Sequence, residues 1–260
     1  MSKYFYKSIA LFWILILSQS GFSQKENRPL IHSHNDYYQK TPFWEAYSCG
    51  LNSIEIDVFL KNDTLFVTHS KSEIIKNRYI ESLYLKPIQN VLELDCRNDL
   101  QLQLLVDIKS ETYSTLDKLT ETLERYPKII FSQSIDIVVS GNMPKPEKYL
   151  DYPEHINFDY QSLEPIDNPK IWNKISMISL SFKKVSCWNG KGRLIDLDHQ
   201  KIKSIIDKVH SYNKPLRFWA TPDSKSAWKI FSAMGVDFIN TDQPCKASNY
   251  FSSLNHSGYP

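Results

Sequence analysis

No G-x-G-x-x-G and no G-x-x-x-x-G-K-[ST] occurs in the 260 residues. The glycine-rich turns that cradle nucleotide phosphates on open α/β sheets are therefore absent. No tract of Lys and Arg exists, and the formal net charge is only +2, so nothing in the charge pattern points to nucleic acid as a partner. Four cysteines stand at 49, 96, 187 and 245. They form no C-x-x-C and no Cys/His cluster of zinc spacing, which excludes a zinc ribbon or finger and leaves buried thiols or one bridge. Internal repeats, low-complexity tracts and linkers are also missing, so residues 24–260 are expected to form one domain.

Long apolar runs are scarce as well. The one unbroken run, Ile9–Leu17, is about half of the roughly 20 residues a membrane-spanning helix needs. It follows Lys3 and Lys7 and precedes Gly21 and Ser23, the order of a secretory signal peptide with cleavage after Ser23. No cysteine lies near that point, so a lipoprotein is excluded. The terminal Ser-Gly-Tyr-Pro carries no address or lipidation signal. These features predict a signal peptide over 1–23 and an exported protein, periplasmic or secreted. Removing the two lysines takes the formal charge from +2 to 0.

What is present is alternation. Strand-length apolar runs stand at Leu30–His34, Ser53–Phe59, Thr64–His69, Leu104–Lys109, Ile135–Ser140, Ile156–Tyr160, Met177–Phe182, Leu216–Ala220 and Asp237–Asn240. Helical patterns lie at Pro42–Cys49, Ser114–Tyr126, Asp196–Tyr212 and Ser224–Met234, with Gly50 and Gly235 at the C-cap positions of the first and last. Within the last, Ala227, Ile230, Phe231 and Met234 recur at the spacing of one buried helix face. Residues 71–99 are less regular and are expected to be a loop insertion with short helices. Strand–helix alternation of this length predicts an α/β fold of parallel strands, a TIM-type (β/α)₈ barrel or an open doubly wound sheet. Without a nucleotide fingerprint the barrel is the better expectation.

Parity then locates the chemistry. Side chains at i and i+2 share a strand face. Glu55 and Asp57 oppose Ile54, Ile56 and Val58; Asp107 and Lys109 oppose Val106 and Ile108; His32 and His34 oppose Ile31. In a barrel the apolar face packs on the helices, and polar residues near the strand C-termini enter the mouth, where barrel active sites lie. Glu55, Asp57 and Asp107 offer hard oxygen ligands suited to Mg²⁺ or Ca²⁺. His34 and His69, with His32 as a further candidate, could move protons near neutral pH. A divalent cation, two histidines and Lys109 together suit phosphoryl chemistry.

The stretch from His32 to Ser70, with G-L-N-S-I-E-I-D-V at 50–58, His69, Asp107-Ile-Lys109 and the closing G-V-D-F-I-N-T-D-Q-P at 235–244, resembles the phospholipase-C-like phosphodiesterase superfamily. That group includes glycerophosphodiester phosphodiesterases, phosphatidylinositol-specific phospholipases C and sphingomyelinase D. The resemblance spans about residues 29–245 and implies a TIM-type barrel that cleaves a phosphodiester with a divalent metal. It implies Glu55, Asp57 and Asp107 as metal ligands, a histidine of the first strand and His69 as acid and base, and Lys109 as a phosphate contact. Arg217 and Trp219 become mouth residues near substrate, and Asp242 matches the closing motif.

Two departures stand out. The H-R-G and P-E-N-T of glycerophosphodiesterases are replaced by H-S-H-N-D and K-T-P. The signature's phosphate-binding Arg is thus missing, with Asn35 or Arg217 as substitutes. The shorter spacing from the first histidine to Glu55 is nearer the sphingomyelinase D layout and suggests a separate bacterial branch with the HSHNDY opening. A His-x-His metal hydrolase of amidohydrolase or phosphoesterase type is the first rival, but His155, His199, His210 and His256 do not fall at later strand ends. A catalytically inactive phosphate- or glycan-binding barrel is the second. The expected partner is a small-molecule or lipid-headgroup phosphodiester, handled by a monomer. Tyrosines and Trp188 could touch a membrane surface transiently, and Ser140 and Asn142 could line the mouth.

Overall fold

The structure is a computed structural model that describes residues 28–94 and 101–256. Eight parallel strands close into a barrel: β1 (Leu30–Ser33), β2 (Ser53–Lys61), β4 (Leu102–Ile108), β5 (Ile135–Gly141), β6 (Ile156–Tyr160), β7 (Ile175–Ser181), β8 (Leu216–Trp219) and β9 (Phe238–Thr241). Closure comes from β1, which pairs with β2 on one side and β9 on the other. β3 (Thr64–Val67) is antiparallel to β2 and lies outside the ring. All nine strands coincide with the sequence expectation to within a few residues at their ends.

β2 is long because it does two things. Residues 53–58 pair with β1 and β4 as barrel staves. Residues 58–61 run on past the rim and pair with β3. The turn between them uses Asn62 and Asp63, both at positive φ (47° and 57°), as the twist of a two-residue hairpin requires. The chain therefore folds back towards the mouth at Thr68, whose N–H donates to the Asp57 carbonyl at 3.0 Å.

The helices are α1 (Trp44–Ser48), α2 (Lys86–Leu94), α3 (Thr112–Glu124), α4 (Pro127–Ile130), α5 (Pro169–Asn173), α6 (Asp196–Ser211), α7 (Lys225–Met234) and α8 (Pro244–His256). Ile54, Ile56, Val58, Leu104, Val106 and Ile108 are fully buried in the layer beneath them, so the apolar parity of β2 and β4 does face outward. Inside the ring Leu105, Val138, Met177 and Phe238 form a small apolar plug. Glu111 caps α3 by accepting from the N–H groups of Tyr113 and Ser114, and Ser224 caps α7. Gly235 ends α7 at φ 95°, a left-handed conformation that favours glycine.

The short helices expected within residues 71–99 include a π-helical turn over Glu81–Leu85 continuing into α2, with Tyr84, Leu85, Ile88 and Val91 buried. Residues 244–256, for which no element was expected, form α8, which packs Ala247 and Phe251 into the core. Cys49 joins Cys245 and ties the end of α1 to the start of α8. Cys187 is free and exposed, and Cys96 lies outside the described residues. No helix among the described residues is long and apolar enough to cross a membrane.

Candidate active site

Strand register sets the depth of each polar residue. Asp57 stands opposite Asp107, and Asp107 opposite Ser140, so these three share one level. Glu55 lies one level deeper, opposite Leu105 and, beyond it, Val138. One oxygen from each of Glu55, Asp57 and Asp107 falls within 4.8 Å of the others. Asp57 Oδ1 and Asp107 Oδ1 are buried without a hydrogen-bond partner. Such orphaned oxygens are costly unless a cation or donor meets them. Lys109 supplies part of that compensation, with Nζ 3.0 Å from Asp107 Oδ2 and 3.4 Å from Asp57 Oδ1. Burial still pushes the Asp107 carboxyl up to about 6, against the pull of Lys109. The three carboxylates fit a hard divalent cation in donor type, spacing and unsatisfied valence.

Gly141, at the end of β5, makes room for this cluster. A Cβ there would strike Asp107 Oδ1 and come within 2.6 Å of the Ile108 carbonyl oxygen, and its φ is 73°. Only glycine permits both the approach and the conformation.

The two histidines that line the cavity are held in the same way from different elements. His69, brought over the mouth by the β2–β3 hairpin, donates Nδ1–H to Asp57 Oδ2 at 2.7 Å, and its side chain is 57% exposed. His34, just past β1, bonds through Nδ1 to Asp242 Oδ1 at 2.7 Å. Its Nε2 lies 4.0 Å from Glu55 Oε1. Burial draws the His34 pKa down, but the Asp242 hydrogen bond and the Glu55 charge outweigh it, so the net shift is upward. Asp242 is itself anchored: its N–H donates to Asp223 Oδ2 and its carbonyl accepts from Gln39. The turn after His34 hangs on Asp36, which is fully buried and accepts from Ser33 Oγ, the Phe43 N–H and Tyr84 OH.

His32 belongs to a different layer. It is fully buried, with Nδ1 2.7 Å from Ser53 Oγ and Nε2 2.7 Å from Glu55 Oε2. Ser53 Oγ already accepts from Gln103 Nε2 at 2.9 Å. The Glu55 carboxylate can only accept, so a neutral His32 directs Nε2–H at it and takes the Ser53 hydroxyl proton at Nδ1. Burial, then the Arg217 charge, lower its pKa to about 4 despite Glu55. Arg217 Nη1 bonds Glu55 Oε2 and contacts His32, and Nη2 lies 3.7 Å from Asp159 Oδ2. Burial raises the Glu55 carboxyl, but the Arg217 charge and the His32 bond hold it well below the usual range.

A cavity of about 370 Å³ opens at the C-terminal end of the barrel. His34, Asn35, Glu55, His69, Asp107, Lys109, Arg217 and Trp219 all line it. Ser140, Gly141, Asn142 and Gln161 complete the wall. His32 and Asp57 do not line it; both are 0% exposed, His32 beneath Glu55 and Asp57 behind His69. Arg217, expected at the mouth, does reach the cavity, but its guanidinium is engaged by Glu55, His32 and Asp159. Sequence reasoning missed Asp159, fully buried and bonded by Ser140 and Ser179 hydroxyls. The alternation N-F-D-Y-Q at 157–161 carried that signal. Tyr37, whose hydroxyl donates to Asp57 Oδ2 at 2.8 Å, had no spacing signal.

A closed parallel barrel with its polar cluster at the mouth is the architecture of the glycerophosphodiester phosphodiesterases, and comparison with known proteins bears this out. The glycerophosphodiester phosphodiesterase of Parabacteroides distasonis superposes with a TM-score of 0.56 at 15% identity, covering 88% of this chain and 98% of that one. That of Agrobacterium tumefaciens gives 0.51 at 11%, covering 85% and 98%. At these identities the likeness is one of fold. Two family models match segments of the sequence: an AIM6-like phosphodiesterase domain over residues 22–101 and the glycerophosphoryl diester phosphodiesterase family over 215–244. The first segment holds His34, Glu55, Asp57 and His69; the second holds Arg217, Trp219 and Asp242. Similarity to the phospholipase-C-like phosphodiesterase superfamily is thus shown in the fold and in both segments.

Among curated proteins the chain is similar to Altered inheritance of mitochondria protein 6 of Eremothecium gossypii, 26% identical over 82% of this chain and 67% of the relative. The Kluyveromyces lactis protein of the same name is 27% identical over 85% and 72%. The homolog from Arthroderma benhamiae is 25% identical over 85% and 83%. The export expected from residues 1–23 does not stand. Relatives named for mitochondrial inheritance point to a mitochondrial or intracellular protein, and residues 1–27 lie outside the described part.

Proposed function

We propose that the protein is a phosphodiesterase that cleaves a glycerophosphodiester or a phospholipid headgroup, using His34 as general base and His69 as general acid. The observation that carries this reading is the paired suspension of the two imidazoles. Each is fixed through Nδ1 by a carboxylate, Asp242 or Asp57, and each lines the cavity whose floor holds Glu55 and Asp107. Nδ1 anchorage leaves Nε2 as the proton-carrying nitrogen in both cases.

Glu55, Asp57 and Asp107 would hold a divalent cation, Mg²⁺ or Ca²⁺, which when bound neutralises charge on the phosphate oxygens. Lys109 adds a cationic donor at the same wall. Asn35, Asn142 and Gln161 provide neutral polar edges for headgroup hydroxyls, and Trp219 provides an apolar side. Arg217 serves the floor: it keeps Glu55 ionised and His32 neutral, so that proton transfer is confined to His34 and His69. Water, or a substrate hydroxyl beside the phosphate, attacks phosphorus as its proton passes to His34. The leaving oxygen takes a proton from His69. All of these residues come from one chain, so a monomer suffices.

The test is ³¹P NMR of the purified protein with a panel of glycerophosphodiesters and lysophospholipids, with and without Mg²⁺ or Ca²⁺. Metal-dependent appearance of a phosphomonoester or cyclic phosphate is expected, abolished in His69→Ala. No turnover across the panel, or turnover that survives His69→Ala, refutes the reading.

A further inference from the structure

The Cys49–Cys245 bridge joins the two segments that hold His34. Cys49 ends α1, which is tied through the Phe43 N–H to the Asp36 turn behind His34. Cys245 stands in the first turn of α8, just after Asp242. Hydrogen bonds join the same segments: His34 to Asp242 Oδ1 at 2.7 Å, Gln39 Nε2 to the Asp242 carbonyl at 3.0 Å, and Ser248 Oγ to the Cys49 carbonyl at 2.8 Å. The Asp242 side chain is 69% exposed, and so open a pair holds weakly on its own. How often it forms is therefore set by how closely the bridge keeps the two segments.

The bridge is within reach of a reagent, and the opened form has partners in place. Both cysteines are half-buried. Cys49 belongs to the wall of a cavity of about 310 Å³, together with Arg28, Asn52, Ser248 and Ser252. Arg28 donates to the Ser248 carbonyl at 3.0 Å and to Ser252 Oγ at 2.7 Å, which fixes a positive charge at that wall. Cys245 Sγ lies 3.4 Å from the Glu45 carbonyl oxygen; the bridged sulfur has no hydrogen to donate there, whereas a thiol has one. Ser48 Oγ lies 3.9 Å from Cys49 Sγ, on hand for a thiolate. A domain of this size holds its shape through its core rather than through a bridge, and Cys187 stays a free, exposed thiol in the same chain. The bridge is thus no part of a framework of the kind that small secreted domains need.

We propose that the Cys49–Cys245 bridge is a thiol–disulfide exchange site for a small anionic thiol, and that its opening loosens the His34–Asp242 pair. This is a regulation of the site described above, and its activity arm rests on the phosphodiesterase reading. The thiolate RS⁻, drawn by Arg28, attacks Cys49 Sγ. The bond between the two sulfurs breaks, and its electron pair leaves on Cys245 Sγ, which takes a proton from water and donates to the Glu45 carbonyl. A second RS⁻ attacks the mixed disulfide at the sulfur that R bears. Cys49 leaves as a thiolate beside Ser48 and takes a proton in turn. In sum the bridge and 2 RSH give two protein thiols and RS–SR: the protein gains two electrons and the small thiol loses them. The segment of His34 is then held to that of Asp242 by non-covalent contacts alone.

The test takes the full chain with Cys96→Ser and Cys187→Ser, so that Cys49 and Cys245 are its remaining cysteines. It is poised in mixtures of reduced and oxidised glutathione near neutral pH. Iodoacetamide labelling with mass spectrometry reads the bridge, imidazole ¹⁵N spectra read the histidines, and the same panel of diesters with Mg²⁺ or Ca²⁺ reads turnover. The bridge should open with the far-UV circular dichroism retained. The His34 signals should then shift or broaden, while those of His210, bonded to Asp237, stay in place. kcat should fall about fivefold or more with KM little changed, as a displaced base implies. Cys49→Ser, Cys245→Ser should match the reduced form and ignore glutathione. Arg28→Ala should slow opening by glutathione about threefold or more and leave opening by neutral 2-mercaptoethanol unchanged. A bridge that opens only in denaturant, or a reduced chain that has unfolded, is a structural staple and overturns the proposal. Unmoved His34 signals or unchanged turnover in the folded, reduced chain overturn it too, and equal glutathione rates for Arg28→Ala overturn the anionic thiol. Turnover in neither redox state refutes the phosphodiesterase reading instead, and the His34 signals then decide the exchange site alone.

Discussion

Acidification should destabilise the protein through His32. The folded-state pKa of about 4 lies below the ordinary 6.5 because burial and Arg217 disfavour the imidazolium. The unfolded chain therefore binds this proton first, and stability present above pH 6.5 is lost as pH falls towards 4. A tenfold difference in proton affinity between the folded and unfolded chain is worth about 1.4 kcal/mol. The loss from this one group thus approaches about 3 kcal/mol at pH 4 and about 2 kcal/mol at pH 5. For a domain with the usual stability of about 5–15 kcal/mol that is a large fraction. The assay is urea unfolding in EDTA at intervals between pH 7 and 4.5, on the wild type and on His32→Gln, whose amide can still donate to Glu55. The wild type should lose stability with a slope about one proton steeper than the variant. Imidazole ¹⁵N shifts should show His32 still neutral, as the Nε2–H tautomer, at pH 5. Superimposable slopes, or an imidazolium at pH 5.5, would refute the burial argument.

Other outcomes follow from single contacts. Gly141→Ala forces a methyl against Asp107 Oδ1 at positive φ; Mg²⁺ affinity by calorimetry should fall at least about tenfold, with about 1–2 kcal/mol of backbone strain besides. Unchanged affinity would show that Asp107 is not held where its register puts it. Asp242→Asn removes the charge that lifts the His34 pKa. The acid limb of kcat/KM should move to lower pH and the rate fall about 100-fold, and an unmoved limb counts against His34 as the base. The double variant Cys49→Ser, Cys245→Ser opens a covalent link spanning 196 residues of sequence. It should destabilise the fold by about 2–4 kcal/mol in denaturant, and equal midpoints would show the bridge to be energetically idle.

The strands were legible because each couples apolar parity to a short, bounded length. β2 shows the coupling most clearly: Ile54, Ile56 and Val58 face the helices, and Glu55 and Asp57 face the interior. α2 was not legible because its buried positions, Tyr84, Leu85, Ile88 and Val91, begin in a π turn. The extra residue per turn puts them out of phase with a 3.6-residue search. α8 was missed for another reason. Its polar composition, K-A-S-N-Y-F-S-S at 246–253, hides a face that rests on two residues, Ala247 and Phe251, and on the bridge to α1.

The site shows where parity stops being informative. His32 and His34 share a face in sequence, so alternation gives them equal claims to the mouth. Depth separates them, and depth depends on where the strand ends. β1 stops at Ser33, so His34 is already in the turn, half-exposed and bonded to Asp242. His32 pairs with Ser53 in the ladder and is sealed under Glu55. The same offset divides Glu55 from Asp57, and here the hairpin intervenes: β3 returns His69 over Asp57, not over Glu55. Asp57 therefore joins the floor to His69, while Glu55 joins it to Arg217 and His32. Substituting Asp57 should thus disturb His69 and the carboxylate cluster together, whereas substituting Arg217 should first reach Glu55 and the charge state of His32. Which histidine reaches the cavity was never encoded in the spacing of H-S-H; it is decided by which one the sheet leaves outside.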